Sequence, residues 1–216
     1  MKIFKNINFI KILTICLLLT LFIFISAISY VNAVSNNISN SVFRLHIIAN
    51  SDSEEDQNLK LKVRDNLLIY MNDLSKNCNS KLDVINIVNS HKNDFQEIAE
   101  KTIKENGFNY NVSIQVTNSY FPTKTYGDVS LPVGDYDCLK VNIGNSKGHN
   151  WWCVMFPPLC FVDVSSGIVP ESSKKQIKST LNDEEYNLIT TTDNSEINFK
   201  FKLVELFQNW KLGKID

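Results

Sequence analysis

Two stretches of this chain hold the residue types from which chemistry could be built. The first is Arg44-Leu45-His46-Ile47-Ile48-Ala49-Asn50-Ser51-Asp52. Val42 to Ala49 reads as a short β-strand, and the two-residue period puts Arg44, His46 and Ile48 on one face. A cation and an imidazole on a strand that runs into Asn50 and Asp52 could hold an ion or a charged substrate. The plainer reading is preferred, because each residue has a local structural job: an Arg–Asp brace and a helix cap.

The second stretch is Gly148-His149-Asn150-Trp151-Trp152-Cys153. A cysteine thiolate with a histidine base is a nucleophilic pair, the chemistry of a secreted cell-wall hydrolase or transpeptidase. In an extended strand, however, residues four apart are about 13 Å from each other at ~3.3 Å per residue. His149 and Cys153 meet only if the chain bends, so neither is assigned a catalytic role. Adjacent tryptophans point to opposite faces of a strand. One of Trp151 and Trp152 can therefore enter the core while the other anchors a protein partner.

No metal or cofactor is expected. His46, His91 and His149 lack ligand spacing, and no CxxC pair occurs. The patterns GxSxG and HExxH and a glycine-rich phosphate loop are also missing. The five cysteines are Cys16, Cys78, Cys138, Cys153 and Cys160. Cys153 and Cys160 flank Phe156-Pro157-Pro158, where two rigid prolines turn the chain, and they are the disulfide candidate. Cys138 with Cys153, across adjacent strands, is the rival pairing. Two buried free thiols acting as small hydrophobes are the third reading.

The elements that must position these residues follow from periodicity. Ser51, Asp52 and Ser53 each have an acid three residues on, the spacing of a capping box. Leu59, Val63, Leu67 and Leu74 then recur at helical spacing, which predicts a helix over 54–74. A second helix is predicted over 82–105, ended by Asn106-Gly107. Tyr110 to Val116 alternates as a strand, and 120–135, with Pro122, Gly127, Pro132 and Gly134, reads as a loop. Leu139 to Ile143 and Trp151 to Phe156 are strands joined by the turn 144–148, which predicts a hairpin. Phe161 to Val164 reads as a short edge strand, and 182–189 as a helix within a polar stretch. A strand at Ile197 to Phe201 and a helix at Leu203 to Trp210 end the chain. The sum is an α+β fold: a mostly antiparallel sheet with helices packed on one face, preceded by an N-terminal hydrophobic helix.

That first helix bears on everything after it. Lys2, Lys5 and Lys11 are followed by no charge until Arg44. Between Ile12 and Val31 only Thr14, Thr20, Ser26 and Ser29 are not apolar. An uncharged run of about 20 such residues matches the thickness of a bilayer. The basic start and the small-residue end Val31-Asn32-Ala33 also fit a secretory signal. Residues 1–33 are thus a signal peptide or a membrane anchor with its N-terminus in the cytoplasm. Residues 34–41 read as a linker and 42–216 as one exported domain. Outside the cytoplasm a disulfide persists. Without its three N-terminal lysines the chain is acidic by about four charges, which argues against a nucleic-acid partner.

Two segments, the first with a continuation, together resemble a known family, stage II sporulation protein R. They are Arg44 to Asp52, its continuation Asp56 to Asp65, and Gly148 to Cys160 with the Trp-Trp-Cys and Pro-Pro-Leu-Cys elements. The stretch 167–194 does not contribute. The resemblance implies a sporulation signal of endospore-forming Firmicutes, made in the forespore and exported into the space between two membranes. There it would trigger a membrane-embedded aspartic protease of the mother cell, which removes the pro-sequence of sigma-E. On that reading the chain is a ligand and not an enzyme. The surface around His149, Asn150, Trp151 and Trp152, with the turn from Asn50 to Asp56, is expected to serve structure or partner contact.

Overall fold

The computed structural model describes residues 2–160 and 169–190. Its first element, α1 (Lys2–Ser41), contains a stretch from Phe9 with mean hydropathy 2.7, long and apolar enough to cross a membrane. Residues 34–41, expected as a linker, are helical to Ser41. Ile38 accounts for part of this, since it is fully buried within the following domain. Asn37 Nδ2 donates to Glu185 Oε1 (2.7 Å), and Lys81 Nζ to the Ser39 carbonyl (3.1 Å). Those contacts hold the polar end of the helix in register.

The domain is built on strands β1 (Phe43–Ile48), β2 (Val112–Phe121), β5 (Gly134–Ile143) and β6 (Asn150–Phe156), in the order β2-β5-β1-β6. A separate two-stranded ribbon is formed by β3 (Lys124–Tyr126) and β4 (Val129–Leu131). β1 runs parallel to β5 and antiparallel to β6, and β2 is antiparallel to β5. The sheet is therefore mixed, with antiparallel pairs in the majority. The predicted hairpin of β5 with β6 is corrected: β1 lies between them. The physical reason is burial, because β1 reads Phe-Arg-Leu-His-Ile-Ile and is almost wholly enclosed. A strand buried on both faces belongs in the centre of a sheet rather than at its edge.

One face of the sheet carries Phe43, Leu45, Ile47, Leu139, Val141, Ile143, Val112 and Ile114. Against it pack α2 (Glu54–Leu74), α3 (Lys81–Ser90) and α4 (Lys92–Glu105). α2 has the predicted bounds. Ser53 caps it, its side chain accepting from Asp56 N–H (3.2 Å), so of the three overlapping boxes the last supplies the cap. Glu54, Glu55 and Asp56 in its first turn suit the positive end of the helix dipole. The single helix expected over 82–105 is broken at His91, which caps both α3 and α4 with backbone outside the helical region. Its ring stacks edge-on to Tyr70 and lies 2.7 Å from Asp94 Oδ2, partners that a straight helix would not offer.

Two further differences concern the second half of the chain. The loop expected over 120–135 is largely structured, as the end of β2, the ribbon and the start of β5. In the polar stretch, α5 (Glu171–Thr180) precedes α6 (Asp183–Thr190), and α6 packs against β4. The expected strand at Phe161 to Val164 and the elements at Ile197 to Trp210 lie outside the described residues.

Candidate functional site

The two chemically suggestive stretches are neighbours in space. Antiparallel pairing sets His46 opposite Trp152, Ile47 opposite Trp151 and Ile48 opposite Asn150. The turn after β1 and the turn before β6 are then stitched together. Lys147 N–H donates to the Asn50 carbonyl (3.2 Å) and Gly148 N–H to the Ala49 carbonyl (3.0 Å). Asn50 Oδ1 accepts from Asn145 N–H (2.9 Å), while its Nδ2 donates to Asp56 Oδ2 (2.8 Å). Asp52 Oδ1 accepts from His149 N–H (2.5 Å) and from His149 Nδ1. His149 itself stays largely exposed.

Two buried charges on α2 complete this clamp. Asp56 accepts from Ser51 Oγ (2.5 Å) as well as from Asn50. Burial pushes its carboxyl up, but hydrogen bonds from Ser51, Asn50 and Tyr110 outweigh this and hold it below the usual range. Lys60 donates to the His149 carbonyl (3.0 Å) and to Gln57 Oε1 (2.5 Å). Burial lowers its pKa. Asp56 and Lys60 sit with Leu59 and Val63 on the buried stripe of α2. Two charges inside an apolar stripe were the signal in the sequence for this clamp.

The clamp has no room for a side chain at its tightest point. A Cβ on Gly148 would lie 2.1 Å from the Ser51 carbonyl oxygen. Gly148→Ala is therefore expected to cost about 2–3 kcal/mol of folding stability, as overpacking against backbone does. A chemical-denaturation midpoint measures it, and an unchanged midpoint refutes the clamp.

The tryptophans divide between the two faces. Trp151 is half-buried on the helical side, under the Arg64 guanidinium (4.2 Å from ring centre to Cζ). Trp152 lies on the other face, stacked on His46 with ring centres 3.8 Å apart and edge-on to Phe121 at 4.7 Å. His46 Nε2 donates to Asn150 Oδ1 (2.8 Å). Burial is the main cause that lowers the His46 pKa to about 4, with Lys140 and Arg44 adding to it against the Asn150 hydrogen bond. The ring is neutral at pH 7.

Arg44 departs from the expected brace. It makes no pair with Asp52, which lies beyond the far end of β1 and holds His149 instead. The guanidinium is wholly buried against Phe121, Tyr136 and Tyr126, and its Nη2 donates to the Tyr126 hydroxyl (2.6 Å). The sequence does not bring these three aromatics together, because Phe121 and Tyr126 fall in a stretch that reads as a loop and Tyr136 lies just beyond it. The run of aromatics at Tyr120, Phe121, Tyr126 and Tyr136 was the available sign.

Cys153 and Cys160 are bridged, with Cα atoms 5.3 Å apart, and Cys78 and Cys138 are free and buried. The Cys153 sulfur is thus bonded, and the His149 ring faces Asp52, so the two do not form a nucleophilic pair. Cys153→Ser is expected to lower stability by about 2–3 kcal/mol, the loop-closure contribution of so short a ring. Urea unfolding with and without reductant measures the same loss in the native protein. Among the described residues no cluster of His, Cys, Asp or Glu could hold a metal ion.

Known proteins match this chain. The family model described as stage II sporulation protein R matches residues 39–166, which span β1 to the bridge at Cys160. The protein named stage II sporulation protein R in Bacillus subtilis (strain 168) is 38% identical over 152 residues, 68% of each chain. No solved structure matches.

Proposed function

Since this chain belongs to the stage II sporulation protein R family, we propose that it is the exported signal by which one sporulating compartment activates another. The partner is the membrane-embedded aspartic protease of the mother cell that processes pro-sigma-E. The chain acts on it as a ligand: binding favours the active state of the receptor, which shifts a pre-existing equilibrium. Export through residues 1–33, cleaved or retained as an anchor, carries the domain into the space between forespore and mother cell.

The observation that carries this reading is the joining of the family's segments into one rigid block. The turn at Asn50–Asp56 and the strand start at His149–Trp152 are laced by backbone and buried side chains. A preformed surface of this kind loses little entropy on binding a partner. Co-expression of the full chain, the protease and pro-sigma-E in one host tests the proposal. Cleavage is expected only when the N-terminal segment is intact and the domain is exported. Equal cleavage by a chain lacking residues 2–33 overturns it.

The rival, a cell-wall enzyme using Cys153 and His149, predicts that Cys153→Ser abolishes turnover of peptidoglycan. A protein that keeps sigma-E activation once its fold is restored at lower temperature contradicts that rival.

A further inference from the structure

Beneath the aromatic layer lies a charge that the clamp does not use. Arg44 has no exposed surface. Its Cζ is 4.1 Å from the Phe121 ring centre, 4.6 Å from Tyr136 and 5.9 Å from Tyr126. Arginine keeps its proton in proteins, so a whole positive charge is held out of water. Its Nη2 reaches the Tyr126 hydroxyl and the Tyr136 hydroxyl also faces the guanidinium, but Nε and Nη1 have no hydrogen-bond partner. No carboxylate among the described residues pairs with it. Two residues along the same face, His46 Nδ1 is also buried without a partner.

Aromatic faces attract a guanidinium but do not satisfy its N–H donors. An apolar side chain of similar length would remove the desolvation cost altogether. A buried cation with empty donors is therefore a poor structural brace and a good receptor for a planar anion. We propose that Arg44 is a binding site for a carboxylate group, covered in this structure by the β3–β4 ribbon and opened when Tyr126 lifts away.

The outer strand of the cover, β3, has the build of a part that can move. Each strand of the ribbon has three residues, and they pair only with each other. A two-stranded ribbon is marginal unless something holds it down. β4 is held down, being wholly buried with α6 against it; β3 is exposed but for Tyr126 and is tied by the Tyr126 hydroxyl on Arg44 and on the Trp152 carbonyl (3.2 Å). The tyrosine occupies Nη2, the nitrogen common to both two-toothed faces of a guanidinium. Its departure leaves Nη2 with Nε, or with Nη1, as a fork matched to the two oxygens of a carboxylate. Trp152 borders the site, so its emission reports on the opening. The inference does not depend on the signalling role.

The test titrates the purified full-length chain in detergent with sodium acetate, against sodium chloride at equal ionic strength. Tryptophan fluorescence and the melting temperature are read together. Acetate is expected to give a saturable change with a rise in melting temperature, and chloride none. Tyr126→Phe should bind acetate about tenfold more tightly, since it removes the hydroxyl that competes for Nη2. Arg44→Met should lose the response, and Arg44→Lys should weaken it strongly. No saturable response, or one that chloride reproduces, overturns the site. Because Arg44→Met can fail on folding alone, Tyr126→Phe decides independently: equal or weaker binding than wild type overturns the covered-fork geometry. A short acetylated peptide with one glutamate, against its glutamine counterpart, separates the sources. Tighter binding of the glutamate peptide than of acetate supports a partner's side chain, and equal binding supports a free carboxylate.

Discussion

Trp152→Ala is expected to cost about 3 kcal/mol of folding stability and, on the proposed function, to abolish sigma-E activation at the growth temperature. The ring is the junction of the aromatic layer. It stacks on His46 and meets Phe121 edge-on. Truncating a packed tryptophan removes both transfer energy and neighbouring contacts. The layer also holds Arg44, so a hollow there lets water reach a buried cation. Trp151→Ala differs. Both rings are half-buried, but Trp151 meets the Arg64 guanidinium where Trp152 meets two rings, and its loss should cost nearer 1–2 kcal/mol. Denaturant unfolding of both variants beside the processing assay separates stability from contact. Activation lost in Trp151→Ala under conditions where the variant stays folded marks Trp151 as the partner's anchor. If both variants activate normally, neither ring touches the receptor and the anchor idea fails.

The helical half of the domain was legible because its signals are local. α2 combines acids in the first turn, a Ser cap and an apolar stripe, and all of these agree on the same bounds. The hairpin of β5 and β6 was misread because strand alternation says nothing about which strand fills the space between. That choice rests on long-range burial, which the alternation of Arg44 and His46 with apolar residues in β1 does not announce. The site was half legible. His46, Asn50, Asp52, His149, Asn150, Trp151 and Trp152 do gather, because pairing of β1 with β6 is what brings the segments together. The partners assigned to them were wrong in one case. Arg44 was matched to Asp52 by charge, whereas burial on the opposite end of β1 matched it to aromatic rings. Opposite charges close in sequence are a weak guide when an extended strand carries them to opposite ends.

Stability is expected to fall by about 2 kcal/mol between pH 7.5 and pH 5, with His46 as the cause. Its pKa in the folded protein is about 4, below the 6.5 of an unfolded histidine. Between those values the unfolded chain binds a proton that the folded chain does not. Folding therefore weakens as pH falls through this window, and the full loss by pH 4 is on the order of 3 kcal/mol. The depressed carboxylates Asp56, Asp94 and Asp137 act in a different range. Their contribution is present above the unfolded carboxyl pKa and is lost only as pH falls further. Urea titrations at pH 7.5, 6 and 5 on wild type and His46→Gln isolate the effect, because His91 and His149 stay in both. The variant should show a much flatter dependence. Parallel slopes in the two proteins would mean that another group titrates. The physics ties this to Arg44. A proton on His46 places a second cation in a layer that already holds one without a carboxylate, and neither burial nor the aromatic rings can screen the pair.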